Sequence, residues 1–232
     1  MRPWYARVRD GPLLERLNAV SAEAALKTES GKAVRFVPPA PGGPYYELDV
    51  FETGRVQTRP GSLHDLFNAL AWLAFPRTKA RLNAMHAAEF PGEPRLRGAG
   101  RRGPRRDLAT IFDEGGAVVV CADAALVDML RGCRWKELFW THRARLRAAM
   151  RCTVLGHAVM EQALEPRPGI TCKVLIIPEG EPDGEAARRL PALASPKDLA
   201  PLPVFGLPGW YPQDERFYGD ARYFRPAYGK AG

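Results

Sequence analysis

The sequence predicts an α+β fold, with one helix-rich domain over residues 1–232, a small mixed sheet and an extended aromatic C-terminal arm. Two segments are typical of buried strands: the continuous apolar run Ala117–Cys121, and Lys173–Ile177, which is apolar after its lysine. Most other apolar residues recur at helical spacing. Aromatic residues concentrate after Pro201, where proline and glycine are frequent. We find neither a repeat nor a linker, which favours a single domain.

The N-terminal part combines a helical segment with a predicted hairpin. Residues 1–30 form a helical lead-in, because their leucines and valines recur at nearly helical spacing. The proline-rich stretch Pro38–Pro44 is a loop. Residues 45–52 and 55–58 read as two strands around the turn at Gly54, which predicts a β-hairpin.

Two helices are predicted in tandem. Ser62 is a good N-cap with Asp65 three residues later, and this helix runs to Phe75. Pro76 takes the first position of the next helix, which runs to about Phe90. Each helix carries polar residues beside its apolar stripe: His64, Asp65 and Asn68 on the first, and Lys79, Asn83 and His86 on the second.

Further helices alternate with the two buried strands. The predicted helices are Arg105–Glu114, ended by Gly115 and Gly116, a helix capped by Asp123, Trp135–Met150, Cys152–Leu164 and Glu185–Leu190. We expect the aromatic residues after Pro201 to pack onto the body of the protein.

The composition excludes several classes of protein. The formal charge is +8, mostly from arginine, and no apolar run approaches the roughly 18 residues of a membrane span. The N-terminus lacks the apolar stretch of a signal peptide, so we expect a cytoplasmic protein without membrane contact. The four cysteines include no Cys-x-x-Cys pair, so a zinc knuckle is not expected and free buried thiols are.

The tandem helices supply the candidate catalytic residues. If they fold as an antiparallel hairpin about Pro76, His64 and His86 lie at the same end. A carboxylate from Asp65, Asp113 or Glu114 would complete a metal site or an acid–base pair. The alternative is that these side chains only solvate helix ends, since their spacing matches no named metal motif.

Two further groups leave similar alternatives open. His157 and Glu161 are four residues apart on a predicted helix, where they could bind a metal ion or form a local hydrogen bond. Asp113 and Glu114 precede a buried strand and could contribute to a site at its end or simply form a turn.

Several basic and amide side chains form the candidate binding set. Lys79, Arg105 and Arg106 could hold phosphate or carboxylate groups, with Asn68 and Asn83 beside them. Arginines concentrate within residues 95–106 and again within residues 143–151. Such clusters indicate either a contact with nucleic acid or a solvated surface.

Two functions are therefore predicted as alternatives. In the first, the protein is a hydrolase acting on an anionic substrate, with His64 or His86 as base or metal ligand and a divalent metal as candidate cofactor, since no nucleotide-cofactor motif is present. In the second, it is a non-catalytic protein that binds nucleic acid or the ribosome through its arginines, with affinity that falls steeply with salt.

The segment His64–Asn83 (HDLFNALAWLAFPRTKARLN), followed by His86, resembles the signature of an uncharacterised proteobacterial family, domain-of-unknown-function family 3025. The likeness extends over residues 36–226. The other matching blocks are Arg105–Gly116, Phe139–Trp140, Gly156–Ala158, Pro203–Trp210 and Phe217–Pro226. The resemblance implies one intact domain of a cytoplasmic bacterial protein, and it brings no activity, cofactor or catalytic residue with it.

Overall fold

The computed structural model describes residues 1–40, 42, 45–89 and 103–226. The α-helices are α1 (Arg2–Val8), α2 (Leu13–Glu23), α3 (Tyr46–Thr53), α4 (Leu63–Ala74), α5 (Pro76–Ala88), α6 (Pro104–Gly115), α7 (Ala124–Arg131), α8 (Arg143–Ala149), α9 (His157–Gln162) and α10 (Pro182–Arg189). A π-helix spans Glu137–Thr141, and short 3₁₀ helices span Leu190–Ala192, Pro196–Asp198, Val204–Gly206 and Phe217–Gly219. The strands are β1 (Arg35–Val37), β2 (Arg55–Gln57), β3 (Gly116–Val120), β4 (Arg151–Val154), β5 (Thr171–Ile177) and β6 (Ala200–Pro203).

A four-stranded mixed sheet holds the centre of the fold, in the order β4–β3–β5–β6. β3 runs parallel to β5, with Val118 opposite Leu175, whereas β4 and β6 are antiparallel to their neighbours. Every residue of β3 is buried, as expected for a strand covered on both faces. The α+β class, the small mixed sheet and the two predicted buried strands are confirmed.

The predicted hairpin over residues 45–58 is wrong. Residues 46–53 form helix α3, and the strand β2 that follows pairs in parallel with β1. Gly54 ends this helix with a positive φ of 77° instead of turning a hairpin. A Cβ atom at Gly54 would lie 2.1 Å from the carbonyl oxygen of Ala33, so this close approach also requires glycine.

The predicted helix over residues 152–164 begins too early. Residues 151–154 form strand β4 on the edge of β3, and α9 begins only at His157. The preceding predicted helix, residues 135–150, divides into the π-helix and α8. Thr153 and Val154 are β-branched, which favours the strand once β3 offers a partner.

The C-terminal residues pack onto the sheet as expected. β6 joins the sheet beside β5, and Tyr218, Tyr223 and Phe224 are buried in a cluster with Phe139. The hydroxyl of Tyr223 accepts from the backbone N–H of Phe205 at 2.9 Å and donates to the carbonyl of residue 170 at 2.8 Å. Among the described residues, no helix is long and apolar enough to cross a bilayer.

The tandem helices α4 and α5 have the predicted boundaries to within two residues. Asp183, in the first turn of α10, caps α5 from outside. Its carboxylate accepts the backbone N–H groups of Arg77 at 3.0 Å and Thr78 at 2.7 Å. This contact satisfies N–H groups that the first turn of a helix leaves without partners, and its charge suits the positive end of the helix dipole.

Replacing Asp183 by Ala is therefore expected to lower the free energy of unfolding by about 1–2 kcal/mol. Urea denaturation followed by circular dichroism measures the change. Asp10→Ala is the matched control, because that carboxylate is 76% exposed and, among the described residues, pairs with its neighbour Arg9 alone. Equal effects of the two substitutions would contradict the capping role.

Candidate functional site

Three helices and one strand pairing bring the candidate site together. His64 lies in the first turn of α4, Glu114 near the end of α6, and His157 at the start of α9. α6 leads directly into β3, and α9 follows β4 after two residues. β4 is antiparallel to β3, with Ala117 opposite Val154, so the first residues of β3 lie beside the last residues of β4. The end of α6 and the start of α9 therefore meet at this end of the two strands.

Gly156 allows this meeting to be close. Its N–H donates to the carbonyl of Gly116 at 2.9 Å. A Cβ atom on Gly156 would lie 2.6 Å from the carbonyl oxygen of Glu114 and from the backbone of Gly115. A larger residue would push α9 away from α6 and displace His157.

The two histidines form a hydrogen-bonded chain. His157 Nδ1 lies 2.8 Å from the carbonyl oxygen of Asp113, and its Nε2 lies 3.1 Å from His64 Nε2. His64 Nδ1 lies 3.0 Å from the carboxylate of Glu161. Glu161 is four residues from His157, but it bonds to His64 across the helix pair, so the local His157–Glu161 hydrogen bond that the sequence favours is not formed.

The hydrogen-bond partners along this chain determine which nitrogen of each histidine ring carries the proton. The Asp113 carbonyl and the Glu161 carboxylate both accept, so both Nδ1 atoms donate. In neutral rings the two Nε2 atoms then carry lone pairs that face each other across 3.1 Å. Burial lowers the pKa of His157 to about 4, so this ring is neutral near pH 7. A proton on His64 Nε2 or a metal ion between the two nitrogens would resolve the opposition.

Glu114 supplies a third ligand atom. Its carboxylate lies 3.6 Å from His157 Nε2, and the ligand atoms of His64, Glu114 and His157 all lie within 4.8 Å of one another. Two nitrogens bound to one zinc ion at about 2.0–2.1 Å in tetrahedral geometry lie roughly 3.3 Å apart. The separation of the two Nε2 atoms therefore suits a shared metal ion, with Glu114 half-exposed beside it.

A cavity of about 390 Å³ opens beside these ligands. Its lining residues are Pro39, Tyr46, Glu47, Gln57, Arg59, His64, Asp65, Asn68, Asp113, Glu114 and His157.

Behind the cavity, the buried ammonium group of Lys79 donates to Asp113 and, at 2.7 Å, to Asn68. Burial alone would raise the pKa of Asp113, but the Lys79 ammonium and the neighbouring histidines hold it below its usual value. Burial and the Asp113 carboxylate raise the pKa of Glu114.

The structure places His86 away from His64. His86 lines a second, smaller cavity with Lys79, Asn83, Trp72 and Glu47, whereas the contacts of His64 are to α9. The two histidines line different cavities, and the described cluster of ligand atoms around His64 contains His157 in place of the expected His86. The Asn83 amide donates to both the backbone carbonyl and the carboxylate of Glu47 at 2.8 Å.

The remaining predicted residues lie partly inside and partly outside this cavity. Asp65 lines the cavity and forms an ion pair with Arg59, whereas Arg106, outside it, donates to the hydroxyl of Tyr45 at 3.1 Å. Arg105 is on the surface, where it donates to the carbonyl of residue 191 at 3.3 Å. The larger arginine cluster falls mostly outside the described residues, which resume at residue 103. In the second cluster, Arg145 forms an ion pair with Asp123 and Arg143 stacks over Trp140. Binding to nucleic acid stays a prediction.

Sequence reasoning missed the pairing of His157 with His64 and the presence of Glu47 and Arg59 at the cavity. His157 and Glu161 were recognised as a spaced pair, but nothing in a single sequence shows that their partner lies on α4. A weak signal was present in Gly156, whose position directly before His157 indicates a close backbone approach.

The family model described as "Protein of unknown function (DUF3025)" matches residues 34–228, and the chain belongs to that family. No curated protein and no solved structure matches the chain. The resemblance found in the sequence is thereby confirmed, and the conclusions about function come from the site itself.

The contact at Gly156 can be tested directly. Gly156→Ala is expected to lower the free energy of unfolding by about 1–3 kcal/mol, because the new methyl group meets backbone atoms that cannot move aside. Gly219→Ala is the control, since a Cβ atom there meets nothing within 4 Å. Urea unfolding measures both. Equal stability of the two variants would contradict the close approach of α9 and α6.

Glu47 predicts a pH dependence of stability. Burial and the Asp113 carboxylate raise its pKa to about 7 from an ordinary value of 4.5. The folded state therefore keeps a proton that the unfolded chain loses, and stability present below pH 4.5 is lost as the pH rises towards 7. Between pH 5 and 8 the wild-type protein should lose about 2 kcal/mol more than Glu47→Gln. Parallel pH profiles in urea unfolding would contradict this assignment.

Proposed function

Since the family carries no assigned activity, we propose from the geometry that this protein is a metal-dependent hydrolase with one divalent ion held by His64, His157 and Glu114. The observation that carries the proposal is the opposition of two imidazole Nε2 atoms at 3.1 Å while both Nδ1 atoms donate elsewhere. A divalent ion would be coordinated by both lone pairs, and its positive charge would balance the negative charge of the Glu114 carboxylate.

The groups behind the ligands support the proposal. Histidines that bind metals usually donate their second N–H to a carboxylate or a backbone carbonyl, which fixes the ring and its tautomer. The Glu161 carboxylate accepts this hydrogen bond from His64, and the Asp113 carbonyl accepts it from His157. A pair of histidines with a merely structural role has no need of Glu114 beside it.

Hydrolysis is the chemistry that suits such a centre. Three protein ligands leave a coordination position open for water, and the cavity gives a substrate access to it. A bound divalent ion lowers the pKa of this water to about 7, which supplies hydroxide at neutral pH, and it can polarise a carbonyl or phosphoryl oxygen. Glu47 lines the same cavity and, with a pKa of about 7, can exchange a proton there.

Metal content is the first measurement. We expect the untagged protein to contain close to one zinc, manganese or cobalt ion per chain by elemental mass spectrometry, and a chelator to lower its melting temperature. His64→Gln, His157→Gln and Glu114→Gln should each lose the ion, whereas His142→Gln, at a half-exposed histidine outside the cluster, should keep it. Glu161→Gln should weaken metal affinity about 10–100-fold.

Activity against chromogenic carboxylic and phosphoric esters and amides completes the test. Chelation should abolish the activity, and the metal should restore it in the wild type but not in His157→Gln. The proposal fails if the folded protein binds none of these ions, or if the His142→Gln control loses metal to the same extent. Iron as the sole ion taken up would also overturn hydrolysis, because two histidines and one carboxylate are typical of iron(II) oxygenases.

A further inference from the structure

Arg59 is held rigidly at the cavity that adjoins the proposed metal centre. Its Nε and Nη2 atoms donate to the two carboxylate oxygens of Asp65, each at 2.8 Å, and its backbone N–H donates to the same carboxylate at 2.7 Å. Asp65 is itself fixed in the first turn of α4, where its N–H donates to Ser62 Oγ at 3.2 Å. The side chain of Arg59 is nevertheless 63% exposed.

This arrangement occupies only one edge of the guanidinium group. Asp65 takes the edge formed by Nε and Nη2, whereas Nη1 makes no hydrogen bond to any described residue. The second edge, formed by Nη1 and Nη2, is a fork that matches the oxygens of a carboxylate or a phosphate. Because the group is already immobilised, binding an anion there requires little further loss of side-chain entropy.

We propose that Arg59 is the specificity-determining residue of this site and binds an oxyanion, a carboxylate or phosphate, at the end of the substrate remote from the hydrolysed bond. The inference rests on the proposed function, because the proposed metal centre determines where the hydrolysed bond lies. The sequence predicts an anionic substrate held by Arg105 and Arg106 among others. We assign the contact with its anionic group to Arg59 instead of these two arginines.

The charges around the cavity favour this residue for the contact. Among the described residues that line the cavity, Arg59 is the one permanently charged cation. The ammonium of Lys79 lies behind the wall and already donates to Asp113 and Asn68. Arg105 is on the surface beside residue 191. The other acidic or basic side chains of the lining, apart from the two histidines, are carboxyl groups, so Arg59 is the group of the described lining that could bind an anion.

The cavity also limits the size of the substrate. At about 390 Å³ it lies at the low end of small-molecule pockets. With a metal ion on one wall and Arg59 on another, it suits a small molecule that carries a hydrolysable bond and a terminal oxyanion.

Matched probes test the proposal without knowledge of the natural substrate. Acetohydroxamate chelates a metal ion through its hydroxamate group and carries no other charged group, and its analogues with a terminal carboxylate or phosphonate add the oxyanion. Their affinities for the cobalt-loaded protein are measured from the visible spectrum. We expect the better charged analogue to bind at least about tenfold tighter than acetohydroxamate, and the comparison of carboxylate with phosphonate identifies the preferred oxyanion.

Arg59→Gln should remove this preference for charge and leave the affinity for acetohydroxamate unchanged. Arg59→Lys should restore only part of it, because an ammonium group cannot bind both oxygens in a fork. Arg16→Gln, at an exposed arginine of α2, is the control and should keep the full preference. A preference that is equal in wild type and Arg59→Gln, or that is absent from the wild type, overturns the proposal.

A second arm separates this inference from the metal centre. Succinate and phosphonoacetate are titrated into the metal-free protein by calorimetry, in wild type and in Arg59→Gln. Binding that depends on Arg59 in a protein that takes up no metal would support the anion site and reject the hydrolase. Metal uptake by the histidines without any effect of Arg59 on either set of probes would reject the anion site alone.

Discussion

The antiparallel register between β3 and β4 is the constraint on which the candidate site depends. It places Val154 opposite Ala117, and so brings the first residue of α9 beside the last turn of α6. A slip of one residue would turn every side chain of β4 to the other face and move Gly156 away from the carbonyl of Glu114. The N–H groups of Leu155 and Gly156 both donate to the carbonyl of Gly116, at 3.0 and 2.9 Å, so the pairing of the sheet and the geometry of the histidines have one origin.

Charge is distributed around the site in compensated pairs. Lys79 neutralises Asp113, and Arg59 neutralises Asp65, which lets carboxylates lie beside a cavity without the full cost of desolvation. Glu47 receives a hydrogen bond from a neutral amide instead, and burial keeps its pKa high. The site therefore contains fixed charges that hold its shape and one carboxyl group that can change charge near neutral pH.

Local signals in the sequence were sufficient for part of this arrangement. The N-cap at Ser62, the proline that opens α5 and the apolar run of β3 depend on neighbouring residues, and the structure has all of them. Gly54 was ambiguous, because a positive φ serves a hairpin turn and a helix C-cap equally well. The contact between His64 and His157 depends on how α4 packs against α9, and no periodicity within either helix reports that packing.

Without a metal ion, a hydrogen bond between the two Nε2 atoms requires one proton, which His64 would carry while Glu161 accepts from its other ring nitrogen. Burial lowers the pKa of His157 to about 4, so His157 would act in that contact as the acceptor. A metal ion would bind both rings in their neutral form, and the Glu114 carboxylate lies close enough to be its third ligand. A proton on His64 accounts for the contact between the two rings but not for Glu114 beside them, and the convergence of three ligand atoms is the physical reason to assign the cluster a chemical role.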